Sequence, residues 1–253
     1  MSRLLRKTAL RLLLATVLTG ITTTVGAPTG IIYQSKAVIE LFTSQGCSSC
    51  PPADKLLGQL ANRSDVIALT FPVDYWDYLG WKDTLARPAH SARQRAYAKA
   101  RGDGQVYTPQ VVIDGAYHAV GSNAAEINQS ISKSRNELKN ARIPLSVRTE
   151  GDTLVITAGA APSGARVRPA TIWLALVKKS KSVKISRGEN RGRTITYHQV
   201  VRNLTPVGQW TGKEVTIKLP KQHLQSKETD GCTILLQQDI AGPVLAAVEI
   251  KNW

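Results

Sequence analysis

The sequence predicts an α/β domain followed by an all-β sandwich-like domain, and three observations carry that expectation. In the first half, apolar runs alternate with segments of helical period. In the second, short runs of period-two alternation follow one another with turn residues between them and no convincing helix. The change falls at Ile143-Pro144, so residues 28–142 and 143–253 are expected to form separate domains, in a chain of 253 residues whose 42% hydrophobic content suffices for two ordinary cores.

Residues 1–27 read as a secretory signal. Arg3, Arg6, Lys7 and Arg11 precede an apolar run, and Val25-Gly26-Ala27 suits a signal peptidase. No charge appears from Leu12 to Ser35, a length that spans a bilayer, but threonines, glycines and Pro28 make it a poor span. The expectation is cleavage, no stable membrane span afterwards, and a periplasmic or secreted protein. Disulfides persist in such compartments. The chain has three cysteines, an odd number, so at least one lies outside any intramolecular disulfide.

The elements follow in order. "AVIELFT" and "VIALTFPV" read as buried strands, and between them Ala53, Leu56, Leu57, Leu60 and Ala61 recur at helical spacing. Pro51-Pro52 sets the start of that helix near Pro51. A second helix is expected from about Arg87 or Pro88 to Arg101, stopped by Gly102. "YTPQVVIDGAYHAVG" reads as a hairpin turning at Asp114-Gly115, and Asn123 with Glu126 has the spacing of a capping box before a third helix. Beyond Arg142, "LSVRTEGDTLVITA", "TIWLALV", "RTITYHQVV", "EVTIKL", "CTILLQQ" and "VLAAVEI" read as the strands of the sandwich.

"GCSSCPP" places Cys47 and Cys50 two residues apart at the junction of the first strand and the first helix. A redox pair, a structural disulfide and a metal clip, for copper among others, all use this spacing. Zinc wants four ligands, and only Cys232, His90, His118, His198 and His223 remain, all distant in sequence. No cofactor or bound metal is expected. As a redox pair, Cys47 is the nucleophile, favoured as thiolate by the helix start, and Cys50 the resolving thiol. Thr108-Pro109 stands about sixty residues on, just before the hairpin; a resemblance to thioredoxin-like proteins implies a cis proline there facing the pair, with Thr108 and Pro109 holding the substrate chain.

The order strand, cysteine pair, helix, strand, helix, proline-opened hairpin, helix is that of a thioredoxin-like domain. The blocks "VIELFTSQGCSSCPPADKLL", "VDYWDYLGWKD" and "YTPQVVIDG" resemble those of the secreted thioredoxin-like family known as domain of unknown function 1223. The resemblance covers essentially all of the mature chain; it implies an exported protein centred on Cys47 and Cys50 and supplies no substrate. Members of that family often carry His where this chain has Pro72, and Gly46 and Ser48-Ser49 replace the Trp and Gly-Pro of thioredoxin itself.

Glu40, on the strand leading to the pair, is a candidate general base, with a salt-bridging acid as the alternative. "DYWDYLGW" brings Tyr75 and Trp76 into a loop suited to a substrate peptide, or one that closes over the core. Cys232 sits in an apolar strand pattern as a buried small residue. The net charge of +15 divides as +4, +3 and +8 over residues 1–27, 28–142 and 143–253. Seven cations and one acid, Glu189, fall between Lys178 and Arg193, either as a solvated hairpin or as a surface for anionic envelope components. That stretch lacks the interleaved aromatics that stack on bases, so nucleic acid is not an expected partner. The function expected is exported thiol–disulfide exchange on a protein or small thiol or disulfide; the alternatives are a non-enzymatic envelope scaffold and a copper-binding protein.

Overall fold

The structure, a computed structural model, describes residues 31–32, 36–224 and 226–251; the expected signal at residues 1–27 lies outside them. β2 (Ala37–Thr43) and β3 (Val66–Pro72) pair in parallel from Ala37 opposite Val66 to Thr43 opposite Pro72. Both are buried along their whole length, which their unbroken apolar runs require. A parallel pair needs a crossover, and α1 (Pro51–Leu60) supplies it. α1 starts where the two prolines place it, with Cys50 as N-cap. α2 (Pro88–Arg101) opens on its proline and ends at Gly102, whose φ of 77° closes the last turn without a Cβ clash.

β4 (Gln110–Ile113) and β5 (Tyr117–Val120) form the expected hairpin, with positive φ at both Asp114 and Gly115. α3 (Ala124–Glu137) follows, its first turn capped by Asn123 accepting from the Glu126 amide. Leu57 and Leu60 of α1 and Ile127 and Ile131 of α3 pack on Ile39, Leu41, Val66 and Ala68. On the opposite face Tyr97 of α2 meets Phe42 and Phe71.

The second half holds β6 (Leu145–Glu150), β7 (Thr153–Ala158), β8 (Ala170–Lys184), β9 (Thr194–Trp210), β10 (Val215–Pro220), β11 (Gly231–Gln238) and β12 (Val244–Lys251). β6, β7 and β10, with β1 (Ile31–Ile32), make a four-stranded antiparallel sheet. It shares a core with the second sheet through Leu154, Ile156, Ile172, Ile234 and Leu236.

The expected fold class, a thioredoxin-like α/β domain followed by an all-β sandwich-like domain, is overturned. The protein is predominantly β and is organised on one large mixed sheet of eight strands, ordered β12-β11-β8-β9-β3-β2-β4-β5. β9 lies parallel to β3 at Thr70 and Val200, and the Thr70 hydroxyl donates to the His198 carbonyl at 2.6 Å. The sheet of the first half therefore continues into the second. "TIWLALV" is only the apolar part of a 15-residue strand, and "RTITYHQVV" runs on past Pro206 to make β9 17 residues long. Their pairing reaches from Ala170 and Trp210 to Lys184 and Thr194, so the lysine-rich segment is the paired end of a hairpin. β8 and β11 also contribute Ala175, Val177 and Leu235 to the core around Phe42 and Phe71.

A buried polar network fastens the two halves. Arg93 of α2 donates to both carboxylate oxygens of Glu40, at 2.6 and 2.9 Å, and to Gln237 of β11 at 3.1 Å. The Tyr97 hydroxyl donates to Glu40 at 2.5 Å and accepts from Gln237 at 2.9 Å. Burial opposes the Arg93 charge, and Glu40 more than offsets it, raising the guanidinium pKa above its ordinary value. Removing one partner of such a pair leaves an uncompensated buried charge. Arg93→Met is expected to cost about 3–5 kcal/mol of stability, read as a lowered urea midpoint with Cys47–Cys50 kept oxidised.

Candidate functional site

The loop between β2 and α1 folds into two tight turns, with the Cys47 amide on the Ser44 carbonyl and the Cys50 amide on the Cys47 carbonyl, both at 3.2 Å. This brings the Cα atoms of Cys47 and Cys50 to 5.5 Å, and the two residues are joined by a disulfide. Cys47 lies before α1, upstream of the helix start, and Ser49 Oγ lies 3.4 Å from its sulfur. Ser48 and Ser49 are exposed, whereas Cys47 and Cys50 are 1% and 0% exposed.

The pair is framed from three sides. Trp76 packs on Gly46, where a Cβ would meet its own Cβ at 3.0 Å, and donates its indole N–H to Thr108 Oγ1 at 2.8 Å. Thr108-Pro109 is a cis peptide bond, and the Pro109 Cβ flanks Gly121 together with Ala53 of α1 and Leu41 of β2. Tyr75 hydrogen-bonds Gln94 at 3.1 Å, beside Trp76. Thus Thr108, Pro109 and Trp76 gather near the cysteine loop and Tyr75 stands next to them. Glu40 is placed otherwise, in the ion pair with Arg93.

The third side comes from the β8–β9 turn. Asn190, fully buried, donates its side-chain amide to the carbonyls of Gln45 at 3.0 Å and Cys47 at 2.8 Å. Glu189 accepts from the Ser48 amide at 3.2 Å. The basic stretch is therefore a hairpin arm whose tip is docked on the cysteine loop.

One turn along α1 from Cys50 lies a buried acid that the motif reading passed over. Asp54 is four residues beyond Cys50, so both occupy one face of α1, and its amide donates to the Cys50 carbonyl at 3.1 Å. It is 2% exposed, and neither carboxylate oxygen has a hydrogen-bond partner among the described residues. The Thr43 and Tyr197 hydroxyls nearby are likewise unpartnered. Burial pushes the Asp54 carboxyl up to about 8; the Thr43 hydroxyl offsets part of this, and the neighbouring charge of Asp83 adds to it. Asp83 is the acid of the two that is solvated by the backbone, accepting from the amides of Gln45 and Leu85 at 2.8 Å and Ala86 at 3.0 Å. Burial raises the Asp83 carboxyl as well, but these amides offset part of the rise, so the charge is favoured on Asp83 while Asp54 keeps its proton near neutral pH.

The signal for Asp54 was present: it interrupts the stripe of Ala53, Leu57 and Leu60 on the buried face of α1. Asn190 had none, since 143 residues separate it from Cys47. Cys232 is buried and unpaired, and burial pushes its thiol up to about 12, which leaves it uncharged. Among the described residues no group of three or more His, Cys, Asp or Glu side chains is arranged to hold a metal, and no helix is long and apolar enough to cross a membrane.

These features define a class: a predominantly β protein on a mixed sheet, with a CxxC disulfide at the mouth of its crossover helix. The chain belongs to the family described as protein of unknown function (DUF1223), whose pattern matches residues 38–237. It is similar to the crystal structure of protein AGR_C_4864 from Agrobacterium tumefaciens, with 32% identity and a TM-score of 0.76 over 87% of this chain and 96% of that one. It is also similar to HBP35 of Porphyromonas gingivalis, with 12% identity and a TM-score of 0.58 over 87% of this chain and 76% of that one, a likeness of fold alone. No curated protein matches.

Asp54 gives the site a signature in stability. Its pKa is raised on folding from an ordinary 3.8 to about 8, so between these values the folded state holds a proton that the unfolded state has lost. Its burial therefore lowers stability progressively as pH rises through that window and no further above it. Asp54→Asn removes the dependence: relative to the parent it is expected to gain on the order of 2–5 kcal/mol between pH 4 and pH 8, read from urea unfolding at the two pH values.

Proposed function

We propose that this protein is a thiol–disulfide oxidoreductase working through Cys47 and Cys50, with Asp54 as the proton donor and acceptor for Cys50. One observation carries the reading. A fully buried carboxyl with no hydrogen-bond partner is costly, and one a turn along α1 from Cys50, with its pKa brought into the range of a thiol, suits proton transfer to that sulfur. A disulfide serving only as a clip has no use for it.

In the oxidising direction a client thiolate attacks Cys47 Sγ. The Cys47–Cys50 bond breaks, Cys50 leaves as thiolate, and the Asp54 carboxylic acid gives it a proton. The client is now joined to Cys47. A second client thiolate attacks the client sulfur of that bond, so that the client closes its own disulfide and Cys47 is released as thiolate. Two electrons pass from client to pair. In the reducing direction the Asp54 carboxylate takes the Cys50 proton, and the Cys50 thiolate resolves the mixed disulfide. Thr108, Pro109, Trp76 and Tyr75 form the edge along which the client chain lies. This reading places the proton role on Asp54, because the Glu40 carboxylate is held by Arg93 and Tyr97. Work after export is part of the proposal and is supported by the N-terminal pattern of Arg3, Arg6, Lys7 and Arg11 before an apolar run.

A second reading, a structural clip in a binding protein, is favoured by the burial of both cysteines. The two readings part on direct tests. Cys50→Ala is expected to leave Cys47 linked to client thiols as adducts that dithiothreitol removes, seen by mass spectrometry, and Cys47→Ala to yield none; an absence of adducts with both favours the clip. Asp54→Asn is expected to slow exchange roughly 10–100-fold at pH 7 and to abolish an inflection near pH 8 in the rate profile. An unchanged profile removes Asp54 from the mechanism.

A further inference from the structure

The basic arm is not spent on holding the fold together. Of its cations, Lys178 pairs with Asp230 at 2.8 Å, and Arg193 donates to Asn190 at 3.2 Å. Lys181, Lys184, Arg187 and Arg191 are exposed, and none has a carboxylate within ion-pair distance among the described residues. The single acid of the arm, Glu189, is exposed and accepts from the Ser48 amide. What the arm presents to solvent is therefore predominantly positive, four unpaired cations against one acid.

A groove of about 720 Å³ runs beside the pair, between α1 and β9. It begins at Pro51, the residue after Cys50, and passes Lys55, Gln59, Arg193, Thr196 and His198; no carboxylate lines it. His198 closes its floor over Gly58, where a Cβ would meet the imidazole at 2.6 Å. The groove thus joins an electropositive wall to the disulfide, and its walls come from both halves of the chain.

We infer that the client of this site is an acidic polypeptide, with Asp or Glu side chains flanking its reactive cysteine, held in the groove between α1 and the arm. The inference rests on the exchange reading above and adds the chemistry of the client. Complementary charge concentrates such a chain at the groove and steers its approach. A client carboxylate has a second use at the loop. It can replace Glu189 on the Ser48 amide, so that this N–H stays satisfied while the client chain lies against the loop.

Three peptides of identical length, each with one disulfide flanked by Asp and Glu, by Ser, or by Lys and Arg, are to be exchanged against the reduced protein at 20 mM and 500 mM salt. The acidic peptide is expected to react roughly tenfold or more faster than the basic one at low salt, and the ratio to fall toward one at high salt. In Arg187→Glu/Arg191→Glu the ratio is expected to fall or invert at low salt; the salt dependence of the unaltered protein provides the same readout without a variant. If all three peptides react at similar rates, the acidic client is wrong while exchange stands. If similar peptide rates accompany binding to vesicles of one part phosphatidylglycerol to three parts phosphatidylcholine, the arm serves a lipid surface instead. If no peptide reacts, the exchange reading fails and takes the inference with it.

Discussion

The arrangement turns on the junction of β3 and β9. Thr70 and Val200 meet in a parallel pairing, with the Thr70 hydroxyl on the His198 carbonyl, and from that point the hairpin of β8 and β9 projects along α1. The junction fixes what the arm reaches. Because β9 is locked beside β3, Tyr197 lies near the Asp54 carboxyl, His198 lies over Gly58, and the turn beyond lands on the cysteine loop. Unpairing β9 from β3 would remove the lid of the loop, one wall of the groove and part of the cover of Asp54 together.

Energetically the molecule treats its buried acids in opposite ways. Glu40 is compensated: three donor hydrogens from Arg93 and Tyr97 converge on it, and Gln237 completes the network. Asp83 is compensated by backbone amides. Asp54 is left to hold its own proton. Buried polar groups without partners are rare in folded proteins and concentrate where function requires them. The contrast between Glu40 and Asp54, one held by a cation and the other only near a disulfide, is why the proposed proton traffic is assigned to the second.

What could be read in the sequence was whatever is decided locally. The double proline fixed the start of α1, Pro88 and Gly102 bounded α2, Asp114-Gly115 gave the hairpin turn, and the cysteine spacing gave the disulfide. The fold class was lost because it depends on contacts between residues far apart: Thr70 and His198 are separated by 128 positions. A strand carrying Lys178, Lys179, Lys181 and Lys184 shows no apolar periodicity strong enough to mark its length, so β8 looked half as long as it is. Glu40 could be read as a general base or as a salt-bridging acid, and its place in the ion pair with Arg93 is set by a residue 53 positions away; the interruption of the buried stripe of α1 at Asp54 was a local signal of a buried acid.

The account stands or falls on whether the Cys47–Cys50 disulfide exchanges under conditions that a cell provides. A redox titration of the purified protein in glutathione buffers, with thiol trapping and mass spectrometry to assign each cysteine, addresses this directly. A reversible midpoint within roughly −120 to −270 mV is the result the account predicts, and its position separates oxidant from reductant. A pair that resists reduction below about −300 mV would contradict it and leave the disulfide as a clip.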